Sequence, residues 1–564
     1  MRKKLLCGVM VCMMAVNFLA GCSKTSNTPN EPTKAETGVE KTDATATTAP
    51  GDGTDATAVN VPDYMNATGF PIVKEPITLT AMVVISPAQP IDWNEILVWQ
   101  EYEKMTGIHI EWEAYTSAEI GEKRNLALAS GEMPDLFFRA KVPDNDISKY
   151  GADGAFLELS QLIEDYAPNY KAITEKYPDV ASGVPMADGS IYALPNLTDS
   201  PSIEITSKLF MNKKWLEATG KTLPTTTEEL YDVLTAFRNG DPNGNGLQDE
   251  IPLTSDDLSN LMLVLRGAFG LGNEGVGNGN WDLDPATGEL RFFPASESYK
   301  EMLAYFNRLY SEKLIDQEIF TNDGPAILSK NEQELIGGFS FANVVSRANS
   351  NADDFVGLET ALAGPNGDQL YTAARGHIGS RGAFLISSNC QYPEAAMRWV
   401  DYFYSEEGTK MLYLGIEGVS YQKNADGTYD FLSEIVNNIP EGSSFDQVVS
   451  KYVPYAGGSL PTIIYEDFFK GGETQPVPKA ASANMAKYLP KELWAPFSFT
   501  TEESEAKLSL ETDITSLVNQ RTAEFVQGKV SLDEFDSYVD QLNKMGLEDL
   551  KALYNEAYTR YRQQ

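Results

Sequence analysis

Between residues 77 and 138 the chain switches repeatedly between strand-like and helix-like apolar spacing. That alternation restricts its fold more than any other stretch. Residues 77–85 (ITLTAMVVI) read as a buried strand, ended by Pro87 and Pro90. Asp92 opens a helix with Val98, Tyr102 and Met105 at i, i+4 and i+7, stopped by Thr106-Gly107. Residues 109–113 are a second strand, 120–130 a second helix closed by Gly131, and 134–138 a third, short strand. Strand, helix, strand, helix, strand predicts a parallel α/β sheet. Ligands of such sheets gather in the loops beyond the carboxyl ends of the strands. Those loops here hold Trp93 with Asn94, Tyr115, and Arg139.

Residues 191–196 lead into a loop with Pro201, then a strand-like 203–211 and a new helix, which reads as a first crossing between lobes. Arg375-Gly376-His377 precedes a strand at 382–387, where the chain crosses back. Thr226 and Glu229 make a capping box for a helix whose Leu230, Val233, Leu234 and Phe237 share a face, and Gly240 supplies its stop. Residues 267–279 are glycine-rich and end at Asn280-Trp281; a mobile ligand loop and a plain surface loop fit equally well. Trp399 lies on a helical stripe between Ala396 and Phe403 and is read as core. From about Glu505 the chain is helical, with Ser531 and Glu534 as a second capping box, and these helices are expected to clasp the body. The candidates for ligand contact are Trp93, Asn94, Arg139, Asn196, Trp281 and Arg375, from their places beside strand ends, crossings and the glycine-rich loop.

The beginning of the chain sets its compartment. Arg2, Lys3 and Lys4 precede an apolar run that ends in Leu19-Ala20-Gly21-Cys22. This is the layout of a secretory signal peptide over 1–21, and the run falls short of the roughly 20 residues of a comfortable membrane span. Leu-Ala-Gly-Cys resembles the bacterial lipobox, which implies a diacylglyceryl thioether on Cys22 carrying palmitate-type chains. Two such chains suffice for stable anchoring. Residues 22–61 have almost no large apolar side chain, so they read as a disordered tether spanning about 35 Å on average. A long tether of this kind suits the outer face of a Gram-positive cell membrane.

Composition then excludes several classes. At 564 residues the chain is too long for one small core. Its net charge is −37, about −40 once the three cations Arg2, Lys3 and Lys4 leave with the signal, which argues against nucleic acid. Of its four cysteines, Cys7 and Cys12 go with the signal and Cys22 takes lipid, so Cys390 has no intramolecular partner. There are two histidines, His109 and His377, and no His-Glu-x-x-His, Gly-x-Ser-x-Gly or Walker loop. His377 alone reads as a hydrogen-bonded histidine rather than a ligand. Enzymatic activity is not expected.

Directly after the capped helix comes Asp241-Pro242-Asn243-Gly244-Asn245-Gly246-Leu247-Gln248-Asp249-Glu250. Oxygen-bearing side chains at positions 1, 3, 5 and 9, with glycine at 6, resemble the first part of an EF-hand loop. Pro252 replaces the glutamate of position 12, and Asp249 with Glu250 could supply the missing charge. Three carboxylates and two amides suit calcium better than magnesium; a metal-free turn is the competing reading, since Asn-Gly and Asp-Pro are ordinary turn formers.

Four passages together resemble the extracellular solute-binding lipoproteins of carbohydrate ABC transporters, in the subgroup that includes the alginate-binding proteins. They are Phe210-Met211-Asn212-Lys213-Lys214-Trp215-Leu216, Leu223-Pro224-Thr225-Thr226 with its helix, the loop from Asp241 to Pro252, and the run from Arg398 to Gly408 with Gly415-Ile416-Glu417-Gly418. The resemblance implies a type II periplasmic-binding-protein-like α/β fold: two lobes joined by crossing strands, with an added helical C-terminal region. The expected division is 72–200 plus 378–422 for the N-terminal lobe and 201–377 plus 423–564 for the C-terminal lobe. It also implies a structural calcium site at Asp241, Asn243, Asn245, Leu247, Asp249 and Glu250. The implied ligand is a saccharide captured in the cleft and delivered to an ABC permease by a monomer. A surface carbohydrate-active enzyme, and a nutrient sensor for another ligand such as a peptide, are the alternatives.

Overall fold

The computed structural model describes residues 61–86, 92–440, 445–454 and 459–563. Fourteen strands occur among them: β1 Ile77–Val84, β2 Ile108–Tyr115, β3 Leu136–Phe138, β4 Leu194–Asp199, β5 Lys208–Asn212, β6 Thr254–Ser255, β7 Trp281–Leu283, β8 Leu290–Phe292, β9 Gly338–Phe341, β10 Phe355–Gly357, β11 Ile378–Ile386, β12 Tyr421–Lys423, β13 Tyr429–Phe431 and β14 Ile463–Tyr465. A six-stranded sheet runs in the order β14-β4-β11-β3-β1-β2, and a four-stranded sheet in the order β10-β5-β9-β6. β7 with β8 and β12 with β13 are separate hairpins.

The alternation read between 77 and 138 builds the first sheet as expected. β1 lies parallel to β2, in register from Ile77 opposite Ile108 to Val84 opposite Tyr115, and parallel to β3. The helices Leu97–Thr106 and Ile120–Ser130 are the crossovers. β1 is central and nearly continuously apolar because both its faces are covered. Ala81 and Val83 join one core cluster, Met82 and Val84 the other. β2 is an edge strand, so Ile108, Ile110 and Trp112 turn inward while His109 and Glu111 face solvent. β11 runs antiparallel to β3 and β4, and β14 parallel to β4. The carboxyl ends of β1, β2, β3, β4 and β14 therefore share one edge with the amino end of β11.

In the second sheet β5 is antiparallel to β9 and β10, and β6 is parallel to β9. The chain passes between the sheets through the short helix Pro201–Glu204, returns through the segment before β11, and leaves again after β14 toward the helix Pro476–Met485. The first two passages pair with each other. Thr206 N–H donates to the Ala373 carbonyl and Arg375 N–H to the Glu204 carbonyl, around a bridge between Ile205 and Ala374.

Several expectations need correction. The strand expected at 203–211 begins only at Lys208, because Pro201 starts a helical turn that runs to Glu204. Residues 423–564, expected in the second lobe, contribute β14 to the first sheet, where Ile463 and Ile464 bury against β4. The Thr226 hydroxyl does accept from Glu229 N–H, but the Glu229 carboxylate turns to Thr225 instead, so no reciprocal box forms. The left-handed residue ending that helix is Asp241, at φ 47°, not Gly240. Ser531 caps a 3₁₀ turn over Leu532–Glu534 by accepting from Asp533 N–H, and the full capping box belongs to Thr500 and Glu503, which open the long helix Thr501–Val526. The glycine-rich stretch is not a plain surface loop. Val276 N–H donates to the Ala374 carbonyl on the returning passage, and a Cβ at Gly277 would lie 2.2 Å from the Trp494 carbonyl oxygen. Glycine is required there because two backbones meet.

Candidate functional site

Where the strand ends converge and the two passages pair, the polar side chains cluster. Asp199, the last residue of β4, accepts from the Tyr177 hydroxyl and from Lys176 Nζ at 3.3 Å. Glu204 closes the Pro201–Glu204 helix and accepts from Ser200 N–H at 3.1 Å. His377, just before β11, holds Asp179 through Nδ1 at 2.8 Å and through its backbone N–H at 3.1 Å. Arg375 donates to Thr198 Oγ1 at 3.4 Å. Asp179, Glu204, Arg375, His377, Glu492 and Arg562 open onto a cavity of about 570 Å³. Its walls thus come from the helix Pro178–Gly183, both passages, the segment 490–493 and the C-terminal helix.

Burial sets the charge states here. It raises the Glu204 carboxyl above the ordinary range and lowers the Arg375 guanidinium. Burial opposes charge on His377 as well, but the Asp179 hydrogen bond and carboxylate win, and the imidazole sits above its ordinary value. Glu274, in the glycine-rich stretch, is pushed up to about 7 by burial and by Glu492.

A second polar centre links the sheets directly. Lys208 begins β5, and its Nζ donates to the Ser202 carbonyl at 2.6 Å and to the Ala342 carbonyl beyond β9 at 2.9 Å. Burial pushes its pKa down to about 8. Beside it, Glu466 after β14 accepts from Ser200 Oγ, Ser202 N–H and Lys479. A lysine in an apolar strand was the available sequence signal for this centre, and it was missed.

The six sequence candidates do not gather in one place. Trp93 is fully buried beneath the first sheet, its ring 5.2 Å from Trp112 and 5.9 Å from Trp99. It is core, not cleft. Trp281 is also core, stacked on Tyr554 at 4.4 Å under the helix Leu547–Gln563. Asn94 is exposed, and its Oδ1 accepts from Trp112 N–H on the edge strand. Arg139 stands past the end of β3 at φ 53°, and its Nη1 donates to the Val84 carbonyl at 2.8 Å. Asn196 lies within β4 and donates to the Leu460 carbonyl at 2.8 Å. Arg375 alone lines the cavity. Trp399 is buried core, as expected.

The loop after the helix Thr227–Gly240 folds on itself. Asp241 accepts from Gly246 N–H at 3.1 Å, Asn243 Oδ1 from Asn245 N–H at 3.2 Å, and Asn245 Oδ1 from Leu247 N–H at 2.7 Å. Both amide groups turn to Asp249, at 3.3 Å from Asn243 and 3.1 Å from Asn245. Gly244 and Gly246 have φ of 71° and 77°, which lets the backbone coil this tightly. Glu250 Oε1 is buried without a hydrogen-bond partner, and burial, with the Asp249 and Asp241 charges, raises its pKa. An orphaned carboxylate oxygen beside two further carboxylates is the electrostatic setting that a hard cation relieves. The Leu247 side chain points to solvent.

Cys22 and the tether lie outside the described residues. Among the described residues no helix is long and apolar enough to cross a membrane.

A family model described as bacterial extracellular solute-binding protein matches residues 98–429. The fructooligosaccharide ABC transporter substrate-binding protein FusA of Streptococcus pneumoniae is 29% identical over 524 residues, covering 89% of this chain and 93% of FusA. Its structure in complex with kestose superposes with a TM-score of 0.67 at 26% identity, covering 86% of this chain and 99% of that one. A FusA EF-hand mutant in complex with fructo-nystose superposes equally well. Lipoprotein LipO of Bacillus subtilis is 25% identical over 503 residues, 84% of this chain and 91% of LipO. The alginate-binding protein AlgQ2, in a structure without calcium ion, has the same fold at a TM-score of 0.64 and 22% identity, covering 86% of this chain and 99% of AlgQ2.

Proposed function

The chain belongs to the bacterial extracellular solute-binding proteins, and from that premise we propose that it captures an oligosaccharide between its two sheets and hands it to the permease of an ABC transporter. The observation that carries this reading is the similarity to FusA across 89% of the chain, joined to an architecture in which paired passages connect two α/β layers. Such passages are hinges: the layers close over a ligand while the pairing is kept. Sugar hydroxyls want paired polar groups and sugar rings want aromatic faces. The chain acts by binding, and it breaks no bond of the ligand.

In this reading the N-terminal lobe is the six-stranded sheet with its helices, 72–200 plus 378–422 and the segment carrying β14. The C-terminal lobe is built on 201–377 and the helix Pro476–Met485. Calcium is held by Asp241, Asn243, Asn245, the Leu247 carbonyl, Asp249 and Glu250, and it braces the loop. The orphaned Glu250 oxygen supports this, as does an EF-hand in FusA. Lipid on Cys22 holds a monomer at the outer face of the membrane, beside its permease. Arg139, Asn196 and Arg375 remain the candidates for sugar contact; Trp93 and Trp281 do not.

A thermal-shift panel tests the reading. Kestose, neutral and acidic oligosaccharides and short peptides are offered in calcium buffer. A sugar at about 100 times its dissociation constant adds roughly 2.7 kcal/mol and raises the midpoint. A rise with an oligosaccharide recovered intact supports capture. A shortened product supports the enzyme alternative, and a rise with peptides alone refutes the sugar reading.

A further inference from the structure

One group of side chains on the paired passages has no part in the reading above. Asp199 and Glu204 on the outgoing passage and His377 on the returning one each bring a donor atom within 4.8 Å of the others. Among the described residues no other three His, Cys, Asp or Glu side chains converge in this way.

Each of the three has one atom held by a neighbour. Asp199 is held through Oδ2, by Tyr177 and Lys176, which leaves Oδ1. Glu204 is held through Oε1, by Ser200 N–H, which leaves Oε2. His377 is held through Nδ1, by the Asp179 carboxylate, which leaves Nε2. Such outer partners orient metal ligands, and a carboxylate on the far nitrogen fixes the tautomer and raises the basicity of an imidazole ligand. Glu204 and His377 line the cavity of about 570 Å³, so an ion has a way in and room for water at its remaining positions. Two carboxylates with one imidazole are the donor set of zinc-class ions, not of calcium, which takes oxygens alone. The nearby cations do not fill the position. Lys176 is largely exposed and bonds the Asp199 oxygen that Tyr177 also holds, and the side-chain hydrogen bond of Arg375 goes to Thr198, not to any of the three.

We propose that Asp199, Glu204 and His377 form a binding site for a zinc-class divalent cation, oriented by Asp179. An ion there ties the outgoing passage to the returning one and stiffens the connection between the two sheets.

The full chain in detergent, freed of transition metals and saturated with calcium, is titrated calorimetrically with zinc chloride. One zinc per chain is expected, weakened at least about 10-fold by His377→Ala or Glu204→Gln and about 10-fold by Asp179→Asn. His109→Ala changes the other histidine and leaves the binding as it was. Cobalt(II) in place of zinc gives a visible absorption band in the wild type that His377→Ala lacks. Circular dichroism and the melting midpoint without zinc establish that each variant folds, and Glu204→Gln carries the test if His377→Ala does not. No saturable binding, binding unaltered in both His377→Ala and Glu204→Gln, or loss in His109→Ala overturns the proposal.

Discussion

Trp93→Ala separates a core residue from a ligand contact. The ring is fully buried and packs at 5.2 Å against Trp112, 5.9 Å against Trp99 and 6.3 Å against Phe138. Removing a buried tryptophan costs about 3–5 kcal/mol. Trp93 Nε1 has no hydrogen-bond partner, so the loss is packing alone. Unfolding entropy of about 2.1 cal/mol/K per residue gives the compact unit Val59–Gln564 roughly 1 kcal/mol/K, so a loss of about 4 kcal/mol lowers the midpoint by about 4 °C. Differential scanning calorimetry measures this, and titration with whichever panel sugar raises the wild-type midpoint gives the affinity. Affinity should stay within about 2-fold, since a ring under the sheet touches no ligand. A midpoint lowered by less than about 1 °C together with a tenfold loss of affinity refutes the argument.

Three further outcomes are expected. Asp241→Asn should lower the midpoint in calcium buffer, and a calcium chelator should lower the wild-type midpoint but not that of the variant. Glu274 has a folded pKa of about 7, above its unfolded value, so folding takes up a proton there, and the native state loses stability as pH rises from about 4 to about 7. Glu274→Gln should therefore stabilise the chain at pH 8 and change little at pH 4, as read by urea titrations at both pH values. Cys22→Ala should move the protein from the membrane pellet to the soluble fraction on cell fractionation, and equal retention of variant and wild type would count against the lipid anchor.

What the sequence revealed depends on the distance over which each feature is specified. β1, β2, β3 and their crossovers are local patterns, and each was legible from apolar spacing and a terminating glycine such as Gly107, at φ 78°. The Asp241–Glu250 loop was legible for the same reason, its oxygens lying within ten residues. β14 was not, because three residues pair with a strand more than 260 positions earlier. Trp93 and Trp281 were misplaced for a related reason. Both stand beside loops, but Trp93 is covered by Trp112 and Trp99, and Trp281 by Tyr554. The inward alternation of Ile108, Ile110 and Trp112 was the signal that an aromatic core lay on that side of β2. Lys208 heads an apolar strand, and only the convergence of the Ser202 and Ala342 carbonyls explains a lysine there.

The strand order of the first sheet also governs how the chain comes together in time. Its strands are drawn from residues 77 through 465, with the whole second sheet inserted between β4 and β11. A polypeptide emerging from its amino end holds β1, β2 and β3 early, yet β3 and β4 have no common neighbour until β11 has been made, and β4 keeps an open edge until β14 arrives. Neither half can mature and wait for the other. The last hundred residues then lay helices across what has formed, so assembly is a late, global event with high contact order, and slow in proportion.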